Sequence, residues 1–551
     1  MMGFQFKVVS SMEKVFASAS DVQELESKAL SCLKGEIVSF QIAYYWDGQR
    51  RASGYFDVIS PLKDAVNVRE VKLVPCEYPC HMNRDDGYLA EVPGLYPDLL
   101  ADIGEFGFPL VSGQWRTLWV DVEIAPDMAP GIYPVKVQLK TREELLGEAE
   151  VELEVLNAVL PKLPVPHTEW FHSDCLANYY NVEVFSEEYW RIVEEFVKTA
   201  VKFKCNMLLT PVFTPPLDTG IGGERRTVQL VDVTVNDDGT YTFVFSKFQR
   251  WVKMALRCGI EYIEISHLFS QWGAVAAPKV MAVKDGVYQR IFGWETKASG
   301  PEYSDFLHQF LIALKEQLEE LGIQKKTYFH ISDEPTMDHL ESYRSALNVV
   351  KEDLKDYFIM DALSNYEFYQ QGMVKQPVCG LDHIQPFLVE ENRPEKLWGY
   401  YCTAQALNVS NRFIVLPGAR TRILGTQMYK YRLDGFLHWG YNFYNSEYSR
   451  YPINPYQCTD CVGAFPSGDP FLVYPGADGK PEDSIRLMLM GEAMTDFCAM
   501  KALEDLAGRD AVMACIEENA VVELETYPQD SAWLQRMRER INQTIKMYTS
   551  K

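Results

Sequence analysis

The sequence predicts a multidomain α/β protein: an N-terminal β-sandwich followed by a (β/α)8 TIM-type barrel with C-terminal packing helices. Residues 1–160 consist of short runs that alternate apolar and polar residues between turn residues, as strands of a sandwich do. From residue 167 onward, strand patterns alternate with helical patterns, which is typical of a barrel built from βα units. The proline-rich stretch 160–166, LPKLPVP, separates the two regions as a stiff connector.

Eight candidate barrel strands follow the connector, at 167–172, 205–212, 261–269, 326–332, 356–363, 378–387, 399–405 and 434–441. Most are separated by helical patterns, and a two-stranded insertion with an Asp-Gly turn follows the second strand. A doubly wound open sheet is the alternative, but no G-x-G-x-x-G or P-loop motif follows any strand. We therefore expect a sandwich domain at 1–160, a catalytic barrel at 167–502 and a helical extension at 503–551.

The charge balance restricts the class of partner. The chain carries 53 Lys and Arg residues against 77 Asp and Glu residues, a formal net charge of −24. An acidic surface repels nucleic acids and anionic membrane faces, so a neutral partner such as a small oligosaccharide or glycoconjugate glycan fits better. The N-terminus lacks a basic segment followed by a long apolar one, so we expect a cytoplasmic protein. A homo-oligomer is compatible with the sequence.

The cysteines and histidines give little sign of a metal. The twelve cysteines are scattered, which favours reduced thiols over a disulfide framework. The pairs Cys76/Cys80 and Cys458/Cys461 together could supply four thiolates to zinc, but they fall in different predicted domains. The nine histidines form no H-x-H or H-E-x-x-H motif. We expect no metal and no cofactor.

The stretch 328–335, YFHISDEP, places two adjacent carboxylates where a run of aromatic and β-branched residues ends at a proline. In barrel enzymes, catalytic groups lie where strands lead into the following loops. Several other predicted strand ends carry aromatic, amide, imidazole and carboxylate side chains, including His172, Asp218 and Trp439. Aromatic faces stack on sugar rings, and the polar groups bind hydroxyls. These residues together indicate a glycoside hydrolase.

Glu334 is the natural proton donor, because an adjacent carboxylate and partial burial raise the pKa of a carboxyl group. A second carboxylate is usually needed as nucleophile or base, yet the seventh strand and its loop, 397–412, contain no acid. A substrate with a 2-acetamido group can instead supply its own carbonyl oxygen as nucleophile, forming an oxazolinium ion. Asp333 would then orient and stabilise that amide. Both side chains can face one pocket only if the strand is broken by Asp333, which Pro335 favours.

Four stretches resemble glycoside hydrolase family 123 and the related domain of unknown function 4091: HISDEP, WFHSDCLANYYNV, LDGFLHWGYNFYN and GDPFLVYP. The resemblance covers about residues 167–500, with a β-sandwich ahead of the barrel as in that family. It implies a retaining, exo-acting β-N-acetylgalactosaminidase that uses substrate assistance. It also implies Glu334 as the acid/base and Asp333 as the acetamido-orienting group. The stretch 484–497 matches the helix motif of the family only loosely.

Further strand-end residues are candidates for binding substrate. We expect four aromatic residues to form apolar walls around the terminal sugar: Trp398, Tyr400, Trp439 and Tyr441. Tyr366 or Tyr441 is the candidate for orienting the acetamido oxygen. The remaining candidates for polar or aromatic substrate contacts are His172, Asp174, His267, Trp272, Gln385 and Asn442. His172 and Asp174 are equally compatible with a supporting pair, and His330 and Ser332 with structural support.

Three alternatives stay open at this stage. The barrel could cleave a different sugar or linkage. It could use an inverting mechanism with Asp382 as the base, or it could be an inactive carbohydrate-binding relative.

Overall fold

The computed structural model describes residues 4–48 and 52–549, and its N-terminal region is built from two five-stranded sheets. Their strands are β1 Gln5–Ser10, β2 Ala29–Lys34, β3 Ile37–Tyr45, β4 Ala52–Ile59, β5 Val66–Cys76, β6 Gly94–Asp102, β7 Phe108–Leu110, β8 Trp115–Glu123, β9 Gly131–Lys140 and β10 Leu145–Val159. One sheet has the order β1-β3-β8-β5-β6 and the other the order β2-β10-β9-β4-β7.

The two sheets share one apolar core. Alternating residues of β3 and β8, such as Ile42 and Val120, are buried against residues of β9 and β10, such as Val137 and Val151. Burying each such side chain stabilises the fold by about 1.5–3 kcal/mol. The period-two pattern in the sequence therefore corresponds to one buried face on each sheet.

The second region contains a closed barrel of eight parallel strands. The strands after β10 are β11 His167–Glu169, β12 Met207–Thr210, β13 Asp232–Val235, β14 Tyr241–Val244, β15 Tyr262–Ile265, β16 Val280–Lys284, β17 Val287–Phe292, β18 Thr327–Phe329, β19 Phe358–Ala362, β20 Gln376–Gly380, β21 Trp398–Tyr400, β22 Gly435–His438, β23 Val473–Pro475 and β24 Pro481–Asp483. The barrel order is β11-β12-β15-β18-β19-β20-β21-β22, and β22 pairs with β11 to close it.

Helices lie between and after these strands: α1 Ser173–Tyr179, α2 Glu187–Lys202, α3 Ser246–Cys258, α4 Pro301–Glu320, α5 Leu340–Val350, α6 Tyr366–Gln370, α7 Gln385–Leu388, α8 Gly418–Lys430, α9 Ile485–Ala507, α10 Arg509–Glu517 and α11 Ser531–Thr549. The Ser186 side chain accepts a hydrogen bond from the Tyr189 N–H at 3.2 Å and caps α2. Among the described residues, no helix combines the length and the apolar character that a bilayer crossing requires.

The predicted fold class, a β-sandwich followed by a (β/α)8 TIM barrel with C-terminal packing helices, is wrong. The structure has an eight-stranded, all-parallel closed barrel and five-stranded sheets, and helices make up only 29% of it. The helices after β19 and β20 have only five and four residues. The connections after β12 and β15 carry hairpins in addition to α3 and α4, and these hairpins join into the sheet β14-β13-β16-β17.

Buried ion pairs join the N-terminal sheets to the second region. Arg486, on α9, donates two hydrogen bonds to Asp98 of β6 at 2.9 and 2.8 Å, and Tyr474 donates a third at 2.7 Å. The side chains of Arg486 and Asp98 are fully buried. Helix α11 also packs against β2 and β10. The division into domains at 1–160, 167–502 and 503–551 stays a prediction, but these regions are in close contact.

The cysteines are free thiols in the structure. The loop that carries Tyr78 contacts the loop that carries Asp460, because the Tyr78 N–H donates to the Asp460 carboxylate at 3.1 Å. The two cysteine pairs therefore lie in neighbouring loops. Within the part of the chain that the structure describes, however, they do not form a group of metal-ligand atoms.

We expect Asp98→Ala to lower the free energy of unfolding by about 3–5 kcal/mol, because Arg486 would be left buried without its counter-charge. Urea denaturation followed by tryptophan fluorescence measures this. Glu188→Ala is the matched control, since it removes an exposed partner of Arg191 on α2 and should change stability little. Equal effects of the two substitutions would contradict the importance of the buried pair.

Candidate active site

The carboxylates of Asp333 and Glu334 line one cavity of about 130 Å³ at the end of the barrel where the strands lead into their loops. The cavity is lined by Trp170, Leu217, Asp218, Gln271, Trp272, Asp333, Glu334, Ala362, Tyr400, Cys402, Thr403, Leu437, Trp439 and Phe465. The barrel strand β18 ends at Phe329, so the regular alternation of side chains has stopped before Asp333 is reached.

The backbone at Glu334 takes a left-handed conformation, with φ of +44°. A residue other than glycine seldom adopts this conformation, and it persists only where the surroundings hold it. It re-aims the Glu334 side chain relative to Asp333. Two neighbouring residues, which on a regular strand would point to opposite faces, therefore line the same cavity.

Asp361 of β19 holds the segment that leads into the pair. Its Oδ1 atom accepts hydrogen bonds from the backbone N–H groups of Ile331 at 3.0 Å and Ser332 at 3.3 Å. Tyr343 donates its hydroxyl to the other carboxylate oxygen. A buried carboxylate therefore satisfies backbone donors that the strand no longer pairs.

Ser332 links the same segment to the loop that carries Trp272. Its hydroxyl donates to the carbonyl oxygen of Ser270 at 3.0 Å and accepts from the N–H groups of Gly273 and Ala274, both at 3.1 Å. The Trp272 N–H donates to the carbonyl oxygen of Asp333 at 3.0 Å. Trp272 and Ala274 both have left-handed backbones. The wall formed by Trp272 is thus fixed directly to the carboxylate pair.

His330 carries a buried positive charge near the pair. Its Nε2 atom lies 2.6 Å from a carboxylate oxygen of Glu264, and its Nδ1 atom lies 3.3 Å from Oδ1 of Asp361. Burial alone would lower the pKa of His330, but hydrogen bonds and charge interactions with Asp361 and Glu264 raise it to about 9. His330 is therefore an imidazolium at neutral pH. Trp170 also donates its indole N–H to Glu264, at 2.7 Å.

His267 lies against His330 and stays neutral. Their rings are stacked, with centroids 4.3 Å apart and planes 17° apart. Burial and the charge of His330 lower the pKa of His267 well below its usual value. His267, His330 and Asp361 could in principle ligate a metal, since their ligand atoms lie within 4.8 Å of one another. An imidazole binds a metal in its ring plane, and one ion cannot lie in both planes of a stacked pair.

Tyr400, at the end of β21, positions the Glu334 carboxylate. Its hydroxyl donates to Oε1 of Glu334 at 2.7 Å and lies 2.9 Å from the hydroxyl of Ser364. Burial raises the pKa of Glu334, the Tyr400 hydrogen bond opposes this shift, and the negative charge of Asp382 adds to it. Burial and then the charge of Glu334 raise the pKa of Asp333, against the opposing charge of His330. The pKa values of two adjacent, half-buried carboxyl groups are therefore both raised, and ionisation of one disfavours ionisation of the other.

The structure brings five of the predicted site residues together around the cavity: Asp333, Glu334, Trp272, Tyr400 and Trp439. Trp439 is held by a hydrogen bond from its indole N–H to Asp469 at 2.9 Å. Burial raises the pKa of Asp469 to about 7. The aromatic faces of Trp170, Trp272 and Trp439 leave the cavity with mostly apolar walls.

Three predicted aromatic residues do not line the cavity. Trp398 is buried inside the barrel, where it contacts Tyr328 and lies against the backbone of Gly435. Tyr441 is also buried, and its hydroxyl donates to the carbonyl oxygen of Phe196. Tyr366 packs on Phe387 beside α7. In this structure Trp398 and Tyr441 therefore lie in packed layers and not in the lining of the cavity, and a substrate contact for either stays a prediction.

His172, Asp174 and Asn442 form a buried support outside the cavity. Asp174 binds Arg225 through two hydrogen bonds of 2.8 and 2.6 Å, and Arg225 also lies 3.1 Å from Nδ1 of His172. Burial and the charge of Arg225 lower the pKa of His172 to about 3. The Asn442 side chain pairs with both backbone groups of His172. The supporting role considered for His172 and Asp174 fits this geometry.

His267 and Gln385 also lie away from the cavity lining. His267 is enclosed beside Trp170 and His330, and Gln385 is exposed at the start of α7. Several lining residues have no predicted role: Asp218 and Gln271 are polar strand-end residues without an assigned contact, and Trp170 is not among the predicted site residues. Asp218 and Gln271 follow predicted strands, which is the signal that could have assigned them to the site. Trp170 lies within a predicted strand, where a wall position cannot be told from core packing.

We expect His330 to remain protonated through pH 7.5 while His267 remains neutral. Nitrogen–proton correlation NMR of the histidine rings distinguishes the two states, and a His267→Phe variant assigns the signals. A His330 ring that loses its proton near pH 6.5 would contradict the charged network. The test needs no substrate.

The comparisons with known proteins agree with this geometry. Residues 170–503, more than half of the chain, match the catalytic domain of glycoside hydrolase family 123. A solved family 123 glycoside hydrolase from Clostridium perfringens, described in work on glycolipid glycan hydrolysis, superposes with a TM-score of 0.74 at 16% identity. That alignment covers 100% of this chain and 98% of the other.

A solved structure from Bacteroides vulgatus, assigned to the glycoside hydrolases, covers 79% of this chain and 69% of its own. Its identity of 8% and TM-score of 0.25 are too low to support an argument. No curated protein matches the sequence. The resemblance inferred from the sequence motifs is confirmed by the match over 170–503, and this chain belongs to glycoside hydrolase family 123.

Proposed function

We propose that this glycoside hydrolase releases terminal β-linked N-acetylgalactosamine, or a related 2-acetamido sugar, with retention of configuration. The observation that carries the proposal is the pair Asp333 and Glu334, adjacent in sequence and lining one cavity with aromatic walls. A proton donor beside a second carboxylate, both on one side of the sugar, suits participation by the acetamido group of the substrate.

In the proposed reaction, Glu334 gives its proton to the glycosidic oxygen as the bond to the anomeric carbon breaks. The acetamido carbonyl oxygen of the same sugar forms a new bond to that carbon, giving an oxazolinium ion and the free aglycone alcohol. Asp333 accepts a hydrogen bond from the amide N–H and stabilises its developing positive charge. Water then attacks the anomeric carbon and gives a proton to the Glu334 carboxylate, while the bond between that carbon and the acetamido oxygen breaks and leaves the sugar with retained configuration.

The contacts of the two carboxyl groups favour protonation of one over the other. In the free protein, the hydrogen bond from Tyr400 favours the ionised form of Glu334, so the proton is favoured on Asp333. When a substrate amide N–H approaches Asp333, it favours the ionised form there. The proton then belongs on Glu334, where the reaction needs it. Binding of the correct substrate would thus favour the protonated form of Glu334, which is the form that acts as the acid.

The family 123 relative from Clostridium perfringens is known from work on the hydrolysis of glycolipid glycans. For this chain we propose a glycoconjugate glycan as the class of substrate. A homo-oligomer and a cytoplasmic location remain proposals.

We expect Asp333→Asn to lower kcat for 4-nitrophenyl N-acetyl-β-D-galactosaminide by about 10²–10⁴-fold, because the oxazolinium ion loses its counter-charge. We expect Glu334→Gln to abolish cleavage of substrates with poor leaving groups, while activated aryl glycosides retain some turnover. Asp338→Asn is the control, since Asp338 is an exposed acid in the loop that follows the pair.

An unchanged rate in Asp333→Asn would contradict substrate assistance through this pair. A thiazoline analogue of the oxazoline should inhibit, and indifference to it would instead favour an inverting mechanism. Asp382→Asn tests the base of that alternative. A panel of nitrophenyl glycosides decides whether a sugar without the acetamido group is the better substrate.

We expect Tyr400→Phe to move the high-pH limb of kcat/KM upward by about one pH unit. The Tyr400 hydrogen bond favours ionised Glu334 and lowers its pKa, so its loss raises the pKa, and the acid keeps its proton to higher pH. Tyr401→Phe is the matched control, because the neighbouring Tyr401 hydroxyl contacts Met490 away from the cavity. A limb that stays in place or moves down would show that Tyr400 does not tune the acid.

A further inference from the structure

A third carboxylate, that of Asp218, lines the same cavity as Asp333 and Glu334. Asp218 follows β12 in a loop and has a left-handed backbone, with φ of +39°. It is partly buried, and the proposed reaction leaves it without a role. A carboxylate in a cavity with mostly apolar walls costs desolvation unless it meets a partner there.

The backbone of Asp218 is fixed on both sides. Its N–H donates to Oε1 of Gln271 at 2.7 Å, and its carbonyl oxygen accepts the Ser449 hydroxyl at 2.7 Å. Gln271 is itself anchored, because its amide group donates to the carbonyl oxygen of Thr219 at 3.1 Å. The loop therefore presents the Asp218 carboxylate in one place.

Within the described part of the chain, one of the two carboxylate oxygens accepts a hydrogen bond from the protein. Oδ2 accepts the Tyr448 N–H at 2.9 Å, and Oδ1 keeps its capacity to accept. Most other polar groups of the wall are already used: Tyr400 by Glu334, the indole of Trp439 by Asp469, and Gln271 by the loop. Among the described residues that line the cavity, Asp218 is thus the carboxylate beyond the catalytic pair that has an oxygen available to a ligand.

Asp218 lies beside the aromatic rim of the cavity. Tyr448, to which it is bonded, makes an edge-on contact with Trp272 at a centroid distance of 5.9 Å. The Trp272 side chain remains 37% exposed at the mouth. An aromatic face next to a carboxylate is the arrangement that binds a sugar by its C–H face and its hydroxyls together.

We propose that Asp218 is a specificity-determining residue whose carboxylate accepts hydrogen bonds from hydroxyl groups of the terminal sugar. This inference rests on the proposed function, because it assigns the group that recognises the non-reducing end of the same sugar. An exo-acting enzyme must bind these hydroxyls to place the glycosidic bond at Glu334, and a charged acceptor gives stronger hydrogen bonds than a neutral one.

The environment of Asp218 gives the binding a pH dependence. Burial raises the pKa of Asp218 to about 6, against the charge of Arg225 and the Tyr448 hydrogen bond, while Glu447 adds a smaller upward contribution. The carboxylate is ionised above this pH and binds as an acceptor. Below it, protonation removes the charge, so KM rises as the pH falls.

The test uses Asp218→Asn in the full-length protein. Asparagine keeps an oxygen for the Tyr448 N–H and removes the charge. With 4-nitrophenyl N-acetyl-β-D-galactosaminide, kcat/KM should fall by about 10- to 100-fold, mainly through KM, since a hydrogen bond to a charged group is lost. The rise in KM below pH 6 should disappear. The nitrophenyl aglycone carries no hydroxyl, so the loss reports on the terminal sugar.

Glu447→Gln is the matched control. It removes one negative charge from the loop that contacts Asp218, but Glu447 pairs with Arg450 and does not line the cavity. Its KM above pH 7 should remain that of the unmodified protein, because Asp218 is ionised there in both, while the rise in KM at low pH should move slightly down without disappearing. Monodeoxy analogues of the substrate complete the design: for the analogue that lacks the bound hydroxyl, Asp218→Asn should cause no further loss.

Three results would overturn the inference. Unchanged KM in Asp218→Asn would leave Asp218 as a cap for the Tyr448 loop. A loss of kcat by 10⁴-fold or more, with KM unchanged, would make Asp218 a catalytic group. Equal losses with every deoxy analogue would exclude a hydroxyl contact.

Failure of the unmodified protein to cleave any 2-acetamido glycoside would instead refute the proposed function itself. Calorimetry with free N-acetylgalactosamine then tests whether Asp218 binds the sugar.

Discussion

The conformation of the segment between Phe329 and Pro335 is the constraint on which the site depends. Adjacent residues of a regular strand face opposite ways, so two neighbouring carboxylates can share a cavity only where the strand has been interrupted. Here two hydrogen-bonding groups stabilise the interruption. The Asp361 carboxylate accepts hydrogen bonds from two backbone N–H groups, and the Ser332 hydroxyl bonds to the loop that carries Trp272. The left-handed backbone of Glu334 completes it. The strain is held by hydrogen bonds that are themselves buried.

Asp361 and Glu264 also hold the positively charged ring of His330 near the carboxyl group of Asp333. His330 bridges Glu264 and Asp361, and its imidazolium opposes the upward shift in the pKa of Asp333. A neutral residue at position 330 would leave the carboxyl groups of Glu264, Asp361 and Asp333 without a compensating positive charge. The histidine therefore supports the fold and the ionisation of the site at once.

Much of the site could be predicted from the sequence, because chemistry-bearing residues at strand ends leave a local pattern. The pair Asp333–Glu334, the broken strand and the aromatic side chains of Trp272, Tyr400 and Trp439 follow from that pattern. The packed positions of Trp398, Tyr441 and Asn442 could not be predicted in this way. Whether a residue near a strand end faces the cavity or the packing layer depends on the barrel register, which a single sequence does not specify.

The fold class shows the same limit. Eight strand patterns are present in the sequence, and six of the eight barrel strands fall within those segments, while β20 and β21 begin just ahead of theirs, at Gln376 and Trp398. The connections depart from a simple strand–helix repeat, because two contain only short helices and two carry, beside α3 and α4, hairpins that pair with each other across 232–292. Pairing between segments so far apart is decided by tertiary contacts that local periodicity does not record.

The bidentate contact between Arg486 and Asp98 has a consequence for how this enzyme can be divided. A fragment that begins at Trp170, where the family match begins, would retain the guanidinium on α9 but not the strand that neutralises it. The cation would then sit in an apolar gap beside the loop after β22, whose carbonyl groups at Gly468 and Phe471 it also binds. The N-terminal sheets therefore form part of the packing around α9, and they are not an accessory module that can be removed without effect.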